Sequence, residues 1–157
     1  MEKTKSPAEQ YWDEFLDTAD NRRHYGNRHY TAWFFCDDEQ NANALAALVL
    51  EGTKRATASL ESSHHADGEP VPKVGDLSII TDWNGTPQCI IETTAVTIRP
   101  FKDVPPEFAA IEGEGDKSLD YWRRGHRLFF TEELQERGES FHEELRVVCE
   151  EFQVIHQ

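Results

Sequence analysis

The sequence predicts a small α+β protein: a mixed or closed β-barrel with peripheral helices. Three observations carry this expectation. The chain has 157 residues, 38% of them hydrophobic and 11% aromatic, enough for one domain with a real core, because a domain of this size buries most of its apolar surface. Its strand-like segments are long and return antiparallel, most clearly "DLSIITDW", then "NG", then "TPQCIIETTAVTIRPF". Helical segments sit between the strands without the regular βαβ alternation that builds a doubly wound sheet.

Ser6-Pro7-Ala8-Glu9 starts a helix, with a Ser cap, Pro at the first helical position and Glu three residues after the cap. Tyr11, Trp12, Phe15, Leu16 and Ala19 recur at helical spacing, so this amphipathic helix runs to about Asp20. "NRRHYGNRHY" is polar and broken by Gly, a loop, and "TAWFFC" is a short strand. Asp37 with Gln40 caps the next helix. Leu45, Leu48 and Val49 form its buried stripe, and Gly52 stops it. After the stop, a strand begins near Thr57. "LESSHHADGEPVPKVGD" lacks periodicity and is a long loop. "DLSIITDW" is a strand, Asn84-Gly85 a hairpin turn, and "TPQCIIETTAVTIRPF" the return strand, rich in Ile, Val and Thr. "DVPPEFAAIEGEGDKSL" holds a turn, a short helix around Glu107 to Ala110, and a Gly-rich acidic loop. From Ser118 onward Leu119, Trp122, His126 and Phe129 share a helical face. That helix runs to about Arg137, with Asp116 as its cap and Gly138 as its end. "ELRVVCEEFQVIHQ" closes the chain as a strand. No repeat or linker divides the sequence, which reads as a single domain over 1–157. Residues 1–30 are an N-terminal helix and loop extension, and 33–155 are a core barrel with inserted helices.

The formal net charge is -14, which argues against a nucleic-acid coat protein and against extended duplex DNA, since phosphate neutralisation needs Lys and Arg. A small basic pocket on an acidic body is still compatible with it. The cations are grouped: Arg22, Arg23, His24, Arg28 and His29; Lys54 and Arg55; Arg99 and Lys102; Arg123, Arg124, His126 and Arg127. No apolar run reaches the roughly 20 residues of a membrane span. "MEKTKSPAEQYW" has no apolar core of a signal peptide, so a cytoplasmic location is expected. Cys36, Cys89 and Cys149 are odd in number and contain no C-x-x-C pair, and they read as small core hydrophobes. A Gly-rich phosphate loop, H-E-x-x-H, G-x-S-x-G and the dinucleotide fingerprint are all absent.

Several polar residues stand where chemistry is conceivable. In "LVLEGTKRATASL" a helix end runs into Gly52, and Lys54 and Thr57 follow at the mouth of a strand. A desolvated Lys can act as a base, and a Thr hydroxyl needs one to become a nucleophile; a surface Lys beside a strand Thr is the plainer reading. Period-2 alternation puts Glu92 on the face of Ile90, Thr94, Val96 and Ile98, pointing to the core or a barrel mouth, where Lys54 or an Arg is its natural partner. Glu112, Glu114 and Asp116 in "EGEGD" suit acid–base work, a cation or a solvated loop, without the spacing of a calcium loop. His126 shares the apolar face of its helix and reads as a hydrogen-bonded core histidine. Arg123, Arg124 and Arg127 lie on neighbouring faces within reach of an anion, and Trp33 and Trp83 suit either the core or stacking on a base.

Taken in order, "LVLEGTKRATAS", "PKVGD", "CIIETTAVTIRPF", "FAAIEGEGDKSLDYWRRGH" and "VVCEEFQVI" resemble the ASCH domain family from about Trp33 to Ile155. The resemblance implies a PUA-like small β-barrel (the ASCH fold) and a link to RNA metabolism. The family signature G-x-K-x-x-T reads here as Gly52-Thr53-Lys54-Arg55-Ala56-Thr57. Small bacterial members include amidohydrolases that remove the acyl group from N4-acetylcytidine. Their Lys, Thr and Glu carry over to Lys54, Thr57 and Glu112, with Glu114 close behind. Another member resembles a metal-dependent nuclease for single-stranded RNA; that alternative implies Lys54 and Ser118, with Mn2+ or Mg2+ near the acidic loop. Without it no cofactor is expected. A third reading is a non-catalytic RNA- or nucleotide-binding module, in which Arg55, Arg99 and Arg123 hold phosphate and Trp83 meets a base. The implied partner is a nucleoside or short single-stranded RNA, with no membrane and the oligomeric state open. The chain is longer than the smallest amidohydrolases by its N-terminal helix and the "ESSHHADGEPVP" segment.

Overall fold

Local signals at the N-terminus act as written in the sequence. In the computed structural model, which describes residues 1 and 3–157, Ser6 Oγ accepts from Glu9 N at 3.1 Å and the Glu9 carboxylate accepts from Ser6 N at 2.8 Å. This closed capping box starts α1, Pro7–Leu16. The helix stops short of Asp20, and Ala19 turns the chain with φ +50°. The expected loop after it contains a helix, α2, Asn21–Tyr25. Its polar sequence has no apolar period to betray it; Phe15 packing on Tyr25 and a 2.9 Å bond from Asn21 Nδ2 to Phe15 O hold it instead.

β1 is Tyr30–Trp33 and α3 is Glu39–Leu50. Asp38 rather than Asp37 caps α3, accepting from Asn41 N at 2.8 Å. The buried stripe is Ala42, Ala46 and Val49, with Leu45 and Leu48 only half-buried, because the smaller residues allow the closer approach. β2, Ala56–Leu60, leads directly into α4, Glu61–Ala66, where a long loop was expected. Six residues are too few to show a helical period, and tertiary hydrogen bonds described below fix them. β3 is Leu77–Thr81 and β4 is Pro87–Pro100, joined at Asn84-Gly85 as the dipeptide predicts. A 3-10 turn at Phe101–Asp103 precedes α5, Pro106–Glu112, and α6, Leu119–Glu136; β5, Arg146–His156, ends the sheet. Ser118, not Asp116, caps α6, its Oγ accepting from Tyr121 N at 3.1 Å, while Asp116 accepts from Ser118 N.

The five strands form one sheet in the order β1-β3-β4-β5-β2. β1 runs parallel to β3, β3 antiparallel to β4, and β2 antiparallel to β5. The architecture is α+β, a five-stranded sheet with peripheral helices, as the sequence predicts. Cys89, Ile90 and Ile91 are buried in succession, so β4 is covered on both faces there and simple alternation fails.

The chain packs as two compact units of discontinuous segments. The first comprises Met1–Gly52, Gly75–Thr93 and Gln153–Gln157. Its core sets Trp12, Phe15 and Leu16 of α1 against Leu77, Ile79 and Ile90. The second comprises Thr53–Val74 and Thr94–Phe152. Its core joins Ala56 and Leu60 of β2, Phe108 and Ala109 of α5, Trp122, Phe130 and Leu134 of α6, and Val147 and Cys149 of β5. Cys89 and Cys149 are core residues as expected, and burial pushes both thiols up to about 12. Cys36 is a correction: it is exposed, at φ +62°, since the turn after β1 directs it outward. Among the described residues, no helix is long and apolar enough to cross a membrane.

Candidate active site

The most polar buried cluster lies within the second unit. Gly52, at φ +82°, lets α3 end in a left-handed turn. The backbone beyond it is then clamped, with Arg55 N donating to Ile111 O at 2.9 Å and Arg55 O accepting from Phe152 N at 3.0 Å. Lys54 is thereby turned inward and is 1% exposed. Opposite it, α5 ends at Glu112, also 1% exposed, and Gly113 at φ +73° redirects the chain so that Glu114 follows. α6 contributes Trp122 and His126. With Phe130 and Leu134 they recur every fourth residue, one helical stripe.

Lys54 Nζ donates to Ala56 O at 2.8 Å, to Glu112 Oε2 at 3.4 Å and to Glu114 Oε1 at 3.4 Å. All three are oxygens that accept, as an ammonium requires. Glu112 Oε1 accepts from Trp122 Nε1 at 2.9 Å and lies 3.3 Å from His126 Nε2. The other ring nitrogen of His126 bonds Trp122 O at 2.9 Å, and the ring stacks on Trp122 with centroids 4.2 Å apart. Both imidazole nitrogens thus face oxygens that only accept, which favours the doubly protonated ring.

The electrostatics follow from these contacts. Burial works to raise the Glu112 carboxyl, but the charges of Lys54 and His126, with hydrogen bonds to His126 and Glu114, outweigh it and hold it well below the usual range. For Glu114, burial and then the charge of Glu112 push the carboxyl up to about 7 against the pull of Lys54. His126 is raised: burial opposes its charge, and Glu112 overcomes burial. Two neighbouring carboxyls are therefore driven apart, one permanently charged and one titrating near neutrality. Glu114 is also the opening of the cluster, with a side chain 20% exposed against 1% for Lys54 and Glu112 and 13% for His126.

The structure thus brings Lys54, Glu112, Glu114 and His126 together, and His126 is largely buried and hydrogen-bonded, as its place on the apolar face predicts. Thr57 lies apart from their hydrogen bonds. It is half-buried on β2, opposite Glu150 of β5 in register, and among the described residues its hydroxyl makes no hydrogen bond. Ser118 serves as the α6 cap. Glu92, in the first unit, meets the Arg it was expected to find, pairing with Arg28 at 3.2 Å and Gln153 at 3.3 Å. Trp83 packs on Phe34 at the hairpin, with centroids 4.9 Å apart. Arg55 and Arg99 are exposed and Arg123 half-buried, and none forms an ion pair among the described residues. Trp122 as a donor and buried Glu150 were not foreseen. The signal for Glu150 was in "VVCEEF": Val148 and Phe152 share its strand face, so it must point inward with them.

Glu112, Glu114 and His126 offer ligand atoms within 4.8 Å of one another, the spacing of a cation site. The ammonium of Lys54 already stands between the two carboxylates, and a divalent ion there would adjoin a buried positive charge.

The seat of the two carboxylates depends on a glycine. A Cβ at Gly113 would lie 2.2 Å from Thr53 O, a backbone atom that cannot swing away. Gly113→Ala is expected to lose at least about 1–2 kcal/mol from the left-handed conformation alone, with a further loss from the clash. A thermal melt checks this, through a midpoint lowered by about 2–4 °C per kcal/mol.

Comparison with known proteins adds relatives to this geometry. The family model described as ASCH domain matches residues 31–156. The crystal structure of an ASCH domain from Lactobacillus crispatus JV V101 superposes with a TM-score of 0.91 at 39% identity, covering 100% of this chain and 99% of that one. A protein of Enterococcus faecalis V583 superposes with a TM-score of 0.85 at 34% identity, covering 96% and 88%. No curated protein matches the chain.

Proposed function

Since the chain belongs to the ASCH domain family, we propose that it hydrolyses the acyl amide of a modified nucleoside or RNA base of the N4-acylcytidine type. The PUA-like fold of ASCH domains is an RNA-binding fold, so the role of the chain is RNA-related. The observation that carries the finer reading is Glu114, the least buried member of the cluster, with a carboxyl raised to about 7 by burial and by Glu112. A general base is most effective when its pKa lies near the working pH.

In this reading Glu114 takes a proton from an attacking water. The water oxygen bonds to the acyl carbon, the carbon–nitrogen bond breaks, and Glu114 returns the proton to the departing amine. Lys54, with its protons donated to Ala56 O, Glu112 and Glu114, positions Glu114 rather than acting as the base. Glu112 balances the charges of Lys54 and His126. Thr57, with its hydroxyl unpartnered among the described residues, is assigned to hold the substrate. Arg55, Arg99 and Arg123 are the cations available to a phosphate, and a net charge of -14 favours a nucleoside or short single strand over a long polymer.

The nuclease reading uses Lys54 and Ser118 with a metal near the acidic loop. The ligand group found there among the described residues, Glu112, Glu114 and His126, already holds the Lys54 ammonium between its carboxylates. Ser118 serves as a helix cap, so the hydrolase is the reading favoured. Incubation with N4-acetylcytidine, followed by chromatography, is expected to yield cytidine at the same rate with and without EDTA. Absence of cytidine would sink the hydrolase. Salt-weakened binding of short single-stranded RNA without turnover would leave the binding module in its place.

A further inference from the structure

The segment "ESSHHADGEPVP", which the sequence reads as loop, contains α4, and α4 carries chemistry the proposed hydrolase does not use. We propose that Ser59 and His64 form a second reactive pair, a serine nucleophile with its own histidine base, able to accept the acyl group of an activated carboxylic ester. Ser59 Oγ and His64 Nε2 are 2.9 Å apart, the separation a base needs to take a hydroxyl proton. Both side chains are half-buried, shielded yet reachable.

The geometry is built rather than incidental. Leu60, fully buried, anchors the junction of β2 and α4. Arg146 of β5 donates to the Glu61 carboxylate at 2.9 Å. Arg137, just past α6, donates to Ser62 Oγ at 3.0 Å and Ser63 Oγ at 2.7 Å. Four consecutive residues, 60 to 63, are thus fixed before the chain reaches His64, whose ring turns back over Ser59. The turn does not need the Ser59–His64 bond to hold it in place. Burial, aided by the charge of His65, pulls His64 below its ordinary 6.5 against the opposing Glu69 and Asp67. At neutral pH the ring is therefore uncharged and can accept a proton. His65, its neighbour, is exposed.

In the reaction Ser59 Oγ bonds to the ester carbonyl carbon while its proton passes to His64 Nε2. The bond from that carbon to the leaving oxygen breaks, and the alcohol departs with the proton from Nε2. Water, deprotonated by the same nitrogen, then frees the carboxylic acid and restores the serine. The pair is independent of the Lys54 cluster, so cytidine release is no test of it.

A fluorophosphonate and p-nitrophenyl acetate are the probes, read by intact mass and peptide mapping. One adduct is expected, on Ser59, absent in Ser59→Ala. His64→Gln is expected to slow labelling at least tenfold, and His65→Ala to leave it unchanged. The wild-type rate is expected to climb with pH through an ionisation below 6.5. Near-UV circular dichroism shows whether each variant keeps its packing. Wild-type protein that takes no label, a label mapped to another residue, or a well-folded His64→Gln that labels at the wild-type rate overturns the assignment.

Discussion

Lys54→Met is expected to lower folding stability by about 3–5 kcal/mol. The substitution keeps the length and much of the volume of the side chain, so packing changes little. What it removes is the counter-ion of Glu112, a carboxylate 1% exposed and held charged by Lys54 and His126. An uncompensated buried charge is far more expensive than a buried pair is favourable. The double variant Lys54→Met, Glu112→Gln should therefore be less destabilised than the sum of the two single changes, with a coupling of about 1–3 kcal/mol between residues in contact. Urea denaturation of all four proteins measures both quantities. A Lys54→Met midpoint equal to that of the wild type would mean that the ammonium is not the group neutralising Glu112.

Glu114→Gln should leave the fold intact and lower kcat for N4-acetylcytidine by about 10²–10⁴-fold. The amide keeps the shape and can still receive a hydrogen bond from Lys54, but it cannot take up a proton at neutral pH. Wild-type turnover should rise with pH through about 7 as Glu114 becomes charged, and that rise should be missing from the residual activity of the variant. Stability moves in the opposite sense. A carboxyl raised in the folded chain favours folding fully below its ordinary 4.5, and the contribution is lost as pH climbs through about 7. Glu114→Gln removes that loss, so the variant should melt above the wild type at pH 8 and close to it at pH 4. Glu112 is lowered instead, so its contribution is present above the ordinary carboxylate value and lost as pH falls through the folded one. An unchanged kcat, or a pH–stability profile identical to that of the wild type, would remove Glu114 from the acid–base role.

Much of this arrangement was legible in the chain. The capping box at Ser6, the stop at Gly52, the Asn84-Gly85 hairpin and the long return strand are local signals, and no distant contact contradicts them. That Lys54 and Glu112 share a site was implied only by the family resemblance; strand alternation had offered Lys54, or else an Arg, to Glu92, which pairs with Arg28. What stayed hidden depends on tertiary contacts. α2 and α4 are too short and too polar to advertise themselves, and each is fixed by a partner outside itself, Phe15 of the preceding helix for one and the distant Arg137 for the other. The division of labour between Glu112 and Glu114 was hidden too. They lie two residues apart, Glu112 as the last residue of α5 and Glu114 just past Gly113. Only burial, with Trp122 and His126 on one carboxylate and an opening to solvent at the other, separates an ion-pair partner from a titrating group.

The clamp on Arg55 has a consequence for how this protein can change. Its amide and carbonyl are both committed, to Ile111 and to Phe152, yet its side chain is exposed and pairs with no carboxylate among the described residues. Position 55 therefore has a rigid origin and an unconstrained end, one residue along from the buried ammonium. Replacements there should leave folding nearly untouched while altering what first meets an approaching ligand. The position is open to evolutionary drift in specificity, and it suits a photo-crosslinking side chain meant to capture the natural substrate.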